Sequence, residues 1–331
     1  PNVWMFIKSY ENLRKCIIDN KNIVTLVQMA KGAFFKEATV DICSFVLRNG
    51  KSPDKGMYFR LEDFKGDMEV QKERVLDAIA DKECGYFYEA DESNFEKIPG
   101  RPVAYWASLQ IMNIFTNNHS IGTIGRAKAG MTTGDNDRFL RAWSEVRFEN
   151  IGLDYVAAED AQHSGKKWFP YNKGGGFRKW YGLNDFVVLW ENNGFEIKNE
   201  TKGGRKIASV RSEHLYFKES ITWATLTSGM FSARYSETGH LFDDKGSSAF
   251  IPPEHIKYVL AYMNSCVSNF ILEILNPTIS FQSGNISSLP VVLQNDNENK
   301  VSDLAEECIA FCKEDWDTYE TSWNFKSNPL V

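Results

Sequence analysis

Between about residue 95 and residue 250, short β-prone runs alternate with turns rich in Gly, Asn and Asp. The clearest runs are NDFVVLWENNG and SITWATLTSGMFSARYS. Runs this short, bounded by turn residues, are typical of strands, whereas long helical patterns are few in this region. The sequence therefore predicts a mixed, mainly β domain with long loops at the centre of the chain.

The first 52 residues have a different pattern. SYENLRKCIIDN has a capping Ser9 and apolar residues at helical spacing, and two β-prone runs follow, NIVTLVQM and ATVDICSFVLRNG. Two strands so close together suggest the closing edge of an α/β sheet. A complete α/β domain needs more strands, and the chain begins on a residue other than Met. We therefore expect 1–52 to be the last strands of a truncated domain whose main body lies upstream.

Residues 53–94 are predicted to be a linker, KSPDKG, followed by a helical connector. In the connector, DMEVQKERVLDAIAD places four apolar residues on one helix face: Met68, Val75, Leu76 and Ile79. The central domain is predicted to extend over 95–293. Near its end, Pro252-Pro253 opens a long amphipathic helix that stops at Asn276-Pro277, and LPVVL is a short strand.

A polar linker, QNDNENK, leads to a last helix capped by Ser302 and running through Cys312, so 294–331 is predicted to be a C-terminal helical segment. The expected fold class is α/β or α+β. It comprises the end of an α/β sheet, a helical connector, and a mixed domain with long helices near its C-terminal end.

The composition is that of an ordinary globular protein, with 43% hydrophobic and 25% charged residues among 331. No apolar run approaches the roughly 20 residues that span a bilayer, and the N-terminus lacks the pattern of a signal peptide. The six cysteines are scattered, without a C-x-x-C pair, as expected of reduced thiols. We expect a cytoplasmic protein with no membrane partner.

Motifs of known catalytic chemistry are missing from the sequence. It has no G-x-G-x-x-G, P-loop, H-E-x-x-H or G-x-S-x-G pattern, and its five histidines are isolated, so neither a catalytic site nor a metal site is predicted. One degenerate pattern, formed by Asp54, Asp63 and Lys65, imitates a Mg²⁺-dependent nuclease site. A solvated loop is the stronger interpretation, and a nuclease fragment remains an alternative.

The stretch HSGKKWFPYNKGGGFRKWY, residues 163–181, concentrates positive charge although the chain has formal net charge −6. It combines five Lys or Arg residues with consecutive glycines and aromatic rings, and it contains no acid. The spacing of its glycines excludes a nucleotide-binding loop. The high aromatic content fits either a large core or a surface that stacks on flat ligands such as bases, and an acidic protein can still carry one basic groove.

Several stretches together resemble a known family. GMTTGDNDRFLRAWSEV and KKWFPYNKGGGFRKWYG are the most specific, and NPTISFQSGNISSLPV is shared more widely. They resemble the latter part of the PglX-type adenine-specific DNA methyltransferases of BREX phage-defence systems. These are relatives of the Eco57I-like, type IIG adenine-N6 methyltransferases. The resemblance covers nearly the whole chain in order.

The resemblance implies an enzyme whose α/β domain binds S-adenosylmethionine through a Gly-rich motif and holds a flipped adenine with an N-P-P-Y motif. Neither motif occurs here. We therefore expect the catalytic half to lie upstream of Pro1, and this chain to hold no cofactor or metal and to be inactive alone. It would supply target recognition, with double-stranded DNA as partner. Other BREX or restriction-system proteins are further candidate partners, and a protein-interaction module is a second alternative.

As DNA-binding residues, the resemblance and the charge pattern single out cations for phosphates or a guanine edge, and glycines for close approach to the duplex. They are Lys166, Lys167, Lys173, Arg178 and Lys179, with Gly174, Gly175 and Gly176. Trp168, Tyr171 and Trp180 are expected mainly to anchor this loop.

The turn TTGDN offers Thr133, Asn136 and Arg138, either as contacts to DNA or as a helix cap. Both roles remain open for this turn. Arg234 and Gln282 complete the candidates, although a structural hydrogen bond is the stronger interpretation for each.

Overall fold

The computed structural model describes residues 1–35, 40–227, 229–293 and 296–327. The chain divides into two compact units. Unit 1 comprises Pro1–Asn118 with Glu273–Pro277, and unit 2 comprises His119–Leu272 with Thr278–Val331.

The described part of unit 1 forms three helices and a four-stranded sheet. They are α1 (Glu11–Asn20), β1 (Lys21–Gln28), β2 (Cys43–Asn49), β3 (Gly56–Arg60), α2 (Met68–Ala80), β4 (Phe87–Ala90) and α3 (Leu109–Asn117). The strand order is β2-β1-β3-β4. β1 pairs parallel with β3, and the two outer pairings are antiparallel. The helix and the two strands predicted in the first fifty residues are present, except that 38–39 lie outside the described residues.

A buried arginine holds the start of unit 1 together. Arg14, on α1, is only 1% exposed. Its guanidinium donates to the carbonyl oxygens of Trp4 and Ile7, at 2.9 and 2.8 Å, and twice to that of Gly100, at 2.9 and 2.7 Å. Because these four bonds replace water around the buried charge, this arginine stabilises the unit despite its burial.

Two expectations for residues 53–94 differ from the structure. This segment contributes β3 and β4 to the sheet, so it is more than a linker and a helix. Helix α2 is present, but Leu76 and Ile79 on its predicted apolar face are 56% and 60% exposed. Gln71 is buried instead, accepting from Ala30 N at 3.1 Å and donating to Phe64 O at 2.7 Å. Val75 of the predicted face does pack on the core, beside the buried Ala78, whereas the polar contact through Gln71 is one that hydrophobic periodicity cannot reveal.

Unit 2 is mixed, with short strands between helices, as the sequence predicts. Its described helices are α4 (Ile121–Ile124), α5 (Asn136–Phe139), α6 (Ala158–His163), α7 (Glu191–Asn199), α8 (Ile256–Met263), α9 (Cys266–Leu275), α10 (Ser283–Ser287) and α11 (Glu298–Asp317). The last three residues of α9 belong to unit 1.

The strands of unit 2 are β5 (His119–Ser120), β6 (Arg126–Lys128), β7 (Leu140–Ala142), β8 (Trp168–Asn172), β9 (Phe186–Leu189), β10 (Thr201–Lys202), β11 (Arg205–Lys206), β12 (Ser220–Trp223), β13 (Ala233–Ser236), β14 (Leu241–Phe242), β15 (Ser248–Phe250) and β16 (Pro290–Val291). The described residues form two four-stranded sheets, β13-β12-β15-β6 and β14-β8-β9-β7, and the small pairs β10-β11 and β16-β5. Aromatic rings such as Phe169, Trp190 and Phe217 fill the main core.

The long helix predicted after Pro252-Pro253 is two helices, α8 and α9. The break falls at Asn264, which is buried and bonds both the amide and the carbonyl of Ala233, at 2.9 and 3.0 Å. The Asn264 side chain therefore pairs with the backbone of Ala233 in β13, as a neighbouring strand would. Among the described residues no single helix is long and apolar enough to cross a bilayer, and only this bent pair reaches that composition jointly.

The last helix, α11, is longer than predicted at both ends, since it begins at Glu298 rather than at Ser302 and continues past Cys312. Part of the polar linker before it, 294–295, lies outside the described residues.

Candidate nucleic-acid interface

Two of the predicted motifs meet in unit 2. Thr133 and Asn136 of the TTGDN turn, and Lys173 at the start of the glycine run, line one pocket of about 240 Å³. Its other lining residues are Thr132, Gly134, Asp243, Asp244 and Lys245. This pocket, called the recognition pocket after the role proposed for it below, joins three segments of the chain, 132–136, Lys173 and 243–245.

The TTGDN turn is fixed by its backbone. Thr132 exchanges two hydrogen bonds of 3.0 Å with Ser209. Gly134 has φ +77°, and a Cβ there would lie 2.6 Å from the carbonyl carbon of Ile207, so no other residue fits. Asp135 caps α5 by accepting from Arg138 N at 3.1 Å. The capping role weighed for this turn is therefore present, and Asp135 fills it.

The same turn orients an amide. Thr133 is 2% exposed, and its hydroxyl donates to Asn136 Oδ1 at 2.7 Å. Asn136 itself is exposed, and its Nδ2 has no hydrogen-bond partner in the described part of the chain. One end of the amide is thus held by a buried hydroxyl, and its two N–H donors remain available.

Asp243 is the hub of the recognition pocket. Its side chain is 4% exposed and accepts from Tyr171 OH at 3.1 Å, from Lys173 Nζ at 2.5 Å and from Lys245 N at 2.6 Å. Burial, with the nearby carboxylate second, raises the pKa of Tyr171 well above its usual value, so this phenol remains a donor at neutral pH. The pocket wall is therefore preorganised by one carboxylate.

The three glycines of the run have different environments. A Cβ on Gly174 would lie 2.1 Å from the carbonyl oxygen of Lys245, and one on Gly176 would lie 3.0 Å from Leu183. Both glycines therefore permit close packing inside the protein, which differs from the predicted approach to DNA. Gly175, with φ +128° and open space around it, is the one of the three that faces outward freely.

The predicted cations are not bare. Lys173 pairs with Asp243, and Arg178 donates to Tyr181 O at 2.8 Å and pairs with Asp315. Lys179 donates to Asn264 O at 2.9 Å, and Lys166 to Glu149 O. The remaining two also face acids: Lys167 lies 3.7 Å from Glu191, and Arg138 is held between Glu196 and Glu200. The stretch contains no acid, but the fold brings acids to it.

The remaining candidates are structural or peripheral. Tyr171 is buried and anchors the loop, while Trp168 and Trp180 are half-buried, which agrees with their expected role. Arg234 is 2% exposed, and burial lowers its pKa to about 10, so it is out of reach of DNA. Gln282 is exposed and donates to Ser280 Oγ at 2.6 Å.

Two features of this surface were not anticipated from the sequence. Lys245, whose side chain is 61% exposed, projects from the turn after β14; the two residues before it in sequence are acids, which conceal it in a charge count. Next to the glycine run, Phe177, Leu226 and Met230 line an apolar cleft of about 500 Å³ and are each more than half exposed. Isolated apolar residues in loops give no periodic signal.

The nuclease pattern is not assembled. Strand β3 separates Asp54 from Asp63, so the two carboxylates lie at opposite ends of an extended segment. Asp54 is instead paired with Arg48 at 2.8 Å. In the described residues, no group of three or more His, Cys, Asp or Glu side chains is placed to hold a metal ion.

No family model matches the chain. Adenine-specific methyltransferase PglX of Lacticaseibacillus casei (strain Zhang) is 38% identical over 338 residues, covering 99% of this chain and 27% of the relative. Adenine-specific methyltransferase BrxX of Escherichia coli O9:H4 (strain HS) is 35% identical over 336 residues, covering 99% and 26%. The chain is therefore homologous to one part of the PglX and BrxX methyltransferases. The resemblance inferred from the motifs is confirmed.

The chain spans about a quarter of the length of these curated relatives, PglX and BrxX. Among solved structures, the type IIG restriction endonuclease BpuSI is similar over 93% of this chain and 41% of its own, with 12% identity and a TM-score of 0.35. A likeness of this size carries no argument about the site.

Proposed function

We propose that this chain is the DNA-recognition portion of an adenine-N6 DNA methyltransferase of a BREX phage-defence system. Similarity to PglX and BrxX over 99% of the chain supports the class of enzyme. The convergence of Thr133, Asn136 and Lys173 on one exposed, preorganised pocket carries the recognition role. The partner is double-stranded DNA.

The recognition pocket presents donors. Its carboxylates are already engaged, Asp243 by three donors and Asp244 by Lys245 Nζ at 3.0 Å and Arg211 at 3.6 Å. What remains available are the N–H groups of Asn136 and those N–H groups of the exposed Lys245 ammonium that do not face Asp244. In the major groove, guanine offers two adjacent acceptors, O6 and N7. Asn136 and Lys245 are therefore assigned to read a guanine edge.

Unit 1 is proposed to complete the sheet of a methyltransferase domain. β2 lies at the edge of the sheet formed by the described residues, and consecutive side chains on it, Phe45, Val46 and Leu47, are 40%, 56% and 37% exposed. Neighbouring strand residues point to opposite faces, so both faces carry exposed apolar side chains, and on one of them the Trp4 ring packs against Phe45. Such a strand requires a neighbour, which the rest of the full-length enzyme is proposed to supply.

S-adenosylmethionine would bind in that remaining part. A cofactor cradle needs a glycine-rich turn leading from a strand into a helix N-terminus. Gly174–Gly176 do follow strand β8, but no helix begins in the described residues 173–185, and Gly174 packs against Lys245. The residues of this chain do not fit the cofactor, so no catalytic step is assigned to them.

Methylation by the full-length enzyme tests the proposal. The wild-type protein is expected to place N6-methyladenine at one short, non-palindromic site, mapped by methylation-sensitive sequencing of host DNA. The pocket variant N136A/K245A is expected to lose methylation at that site or to spread it to other sites, because each base contact contributes about 1–3 kcal/mol of discrimination.

The control N117A/K82A changes the same residue types on exposed positions of unit 1. It should leave the site and its occupancy unchanged. A wild-type enzyme that methylates no DNA would refute the proposal. So would a pocket variant that methylates the same site to the same extent.

A further inference from the structure

A small basic hairpin projects from unit 2. Strands β10 and β11 pair Thr201 with Lys206 and Lys202 with Arg205. Gly203 and Gly204 form the two-residue turn, with φ +60° and +76°, and no atom lies within 4 Å of a Cβ built on either. All six residues of 201–206 are exposed. The hairpin therefore stands away from the body of the unit.

The three cations of the hairpin have no acidic partner among the described residues. Lys202, Arg205 and Lys206 have no acidic partner within 4 Å in the described part of the chain, whereas the cations of the glycine run are bonded internally. These three positive charges lie within five residues and have no compensating acid, so the hairpin is suited to bind an anion.

The arrangement within the hairpin is unfavourable by itself. Lys202 and Arg205 are directly cross-strand, so their side chains share one face, and like charges so placed destabilise a strand pair. An isolated two-stranded hairpin is marginal in water even without this repulsion. A bound polyanion would offset the repulsion between Lys202 and Arg205. The two charges therefore fit an anion-binding role better than a role in stabilising the hairpin.

The hairpin is joined directly to the recognition pocket. Immediately after β11, Ile207 packs against Gly134, and Ser209 pairs with Thr132. Both contacted residues line the pocket. Only a few residues therefore separate the free cations from the wall that carries Asn136.

We propose that the β10–β11 hairpin is a DNA-contacting arm, whose three cations bind backbone phosphates beside the groove that the recognition pocket reads. A two-stranded ribbon fits the major groove, which is about 12 Å wide. Phosphate contacts of this kind position a protein on the duplex and leave reading of the sequence to other side chains. The inference rests on the proposed function, since it requires the partner to be DNA.

Salt-dependent binding tests the arm. The affinity of the full-length enzyme for a duplex carrying its methylation site would be measured by fluorescence anisotropy between 50 and 300 mM salt, about the range where phosphate contacts dominate. In K202Q/R205Q/K206Q, the slope of log K against log salt should be shallower by about 2–3, since each phosphate contact contributes about 0.9. If both proteins bind equally near 1 M salt, that corresponds to a loss of about 100- to 1,000-fold in affinity near 0.1 M salt.

The control K15Q/K72Q/K82Q removes the same net charge from exposed lysines that are each paired with an acid. This control should change the slope by less than about 0.9, which is the contribution of one phosphate contact. Each single substitution in the hairpin should remove about a third of the triple effect, with the thermal unfolding midpoint unchanged. A triple variant with the wild-type slope, while wild type binds DNA steeply, would overturn the arm and leave the proposed function standing. Wild-type binding that ignores salt would overturn both.

Discussion

Asp243 offers the sharpest test of how the recognition pocket is held. Asp243→Asn keeps the shape but removes the charge, and it places either an amide nitrogen or a weaker acceptor opposite Tyr171 OH and Lys173 Nζ. Hydrogen bonds to a charged group contribute about 1.5–3 kcal/mol each. Lys173 is 23% exposed and can bind water in place of the carboxylate. We therefore expect the free energy of unfolding to fall by about 3 kcal/mol, which is less than the largest sum of the two bonds.

Tryptophan fluorescence during thermal unfolding is a suitable assay, since seven of the nine tryptophans belong to unit 2 and only Trp4 and Trp106 to unit 1. For a unit of this size, about 3 kcal/mol lowers the midpoint by roughly 6–12 °C. The matched control Asp244→Asn, on a carboxylate whose partners are at the surface, should shift it by only about 2 °C.

A double-mutant cycle separates the ion pair from the shape of the site. Lys173→Met in the Asp243→Asn background should cost less than in the wild type, with a coupling of about 1–3 kcal/mol. This role of Asp243 would be refuted if Asp243→Asn and Asp244→Asn had equal midpoints, or if the effects in the cycle were additive. Either result would show that the buried Asp243 carboxylate does not organise the wall of the recognition pocket.

Three further outcomes are expected. Gly174→Ala should lower the unfolding midpoint of unit 2 strongly, because its Cβ would meet a backbone oxygen at 2.1 Å, whereas Gly284→Ala, in open space, should change it little; equal melting curves would contradict the contact. Burial lowers the pKa of His240, so the unfolded chain binds the proton more readily, and stability should fall as pH drops below about 6.5. A melting series in His240→Asn should show a flatter pH dependence, and an unchanged dependence would refute this. Val46→Lys on β2 should leave the melting of this chain unchanged but reduce methylation by the full-length enzyme, and full methylation would argue against a strand covering β2.

Local elements were predictable where one signal dominates. Helix α1 and strand β1 follow from spacing and β propensity, and the mixed character of unit 2 follows from its short runs and turn residues. The break between α8 and α9 was not predicted, because apolar spacing continues through it; at the break Asn264 bonds to Ala233, and Ser265 caps α9 by accepting from Ser268 N at 3.1 Å. The docking of α2 through Gln71 escaped prediction for the same reason.

For the candidate site, the sequence marked two loops that the structure brings together, but it did not show how their charges are paired. A count of Lys and Arg cannot register an acid that approaches from 70 or 137 positions away, as Asp243 approaches Lys173 and Asp315 approaches Arg178. The hairpin cations lie on two strands of two residues each, which are too short for periodicity to mark them. What distinguishes Lys202, Arg205 and Lys206 is that they share one exposed hairpin to which the described residues bring no acid.

Cations that are paired with an acid and cations that have no acidic partner are expected to play different roles in binding. A lysine paired with a buried carboxylate, such as Lys173, keeps its position whether or not DNA is present, so it shapes the pocket and adds little to the salt dependence of binding. A free cation such as Arg205 exchanges counterions for phosphate and adds to affinity without fixing a base. Substitutions at Lys173 should therefore alter which site is methylated, through Asn136 and the pocket wall. Substitutions at Arg205 should weaken binding to cognate and non-cognate duplexes by the same factor, and a specificity change at Arg205 would contradict this separation.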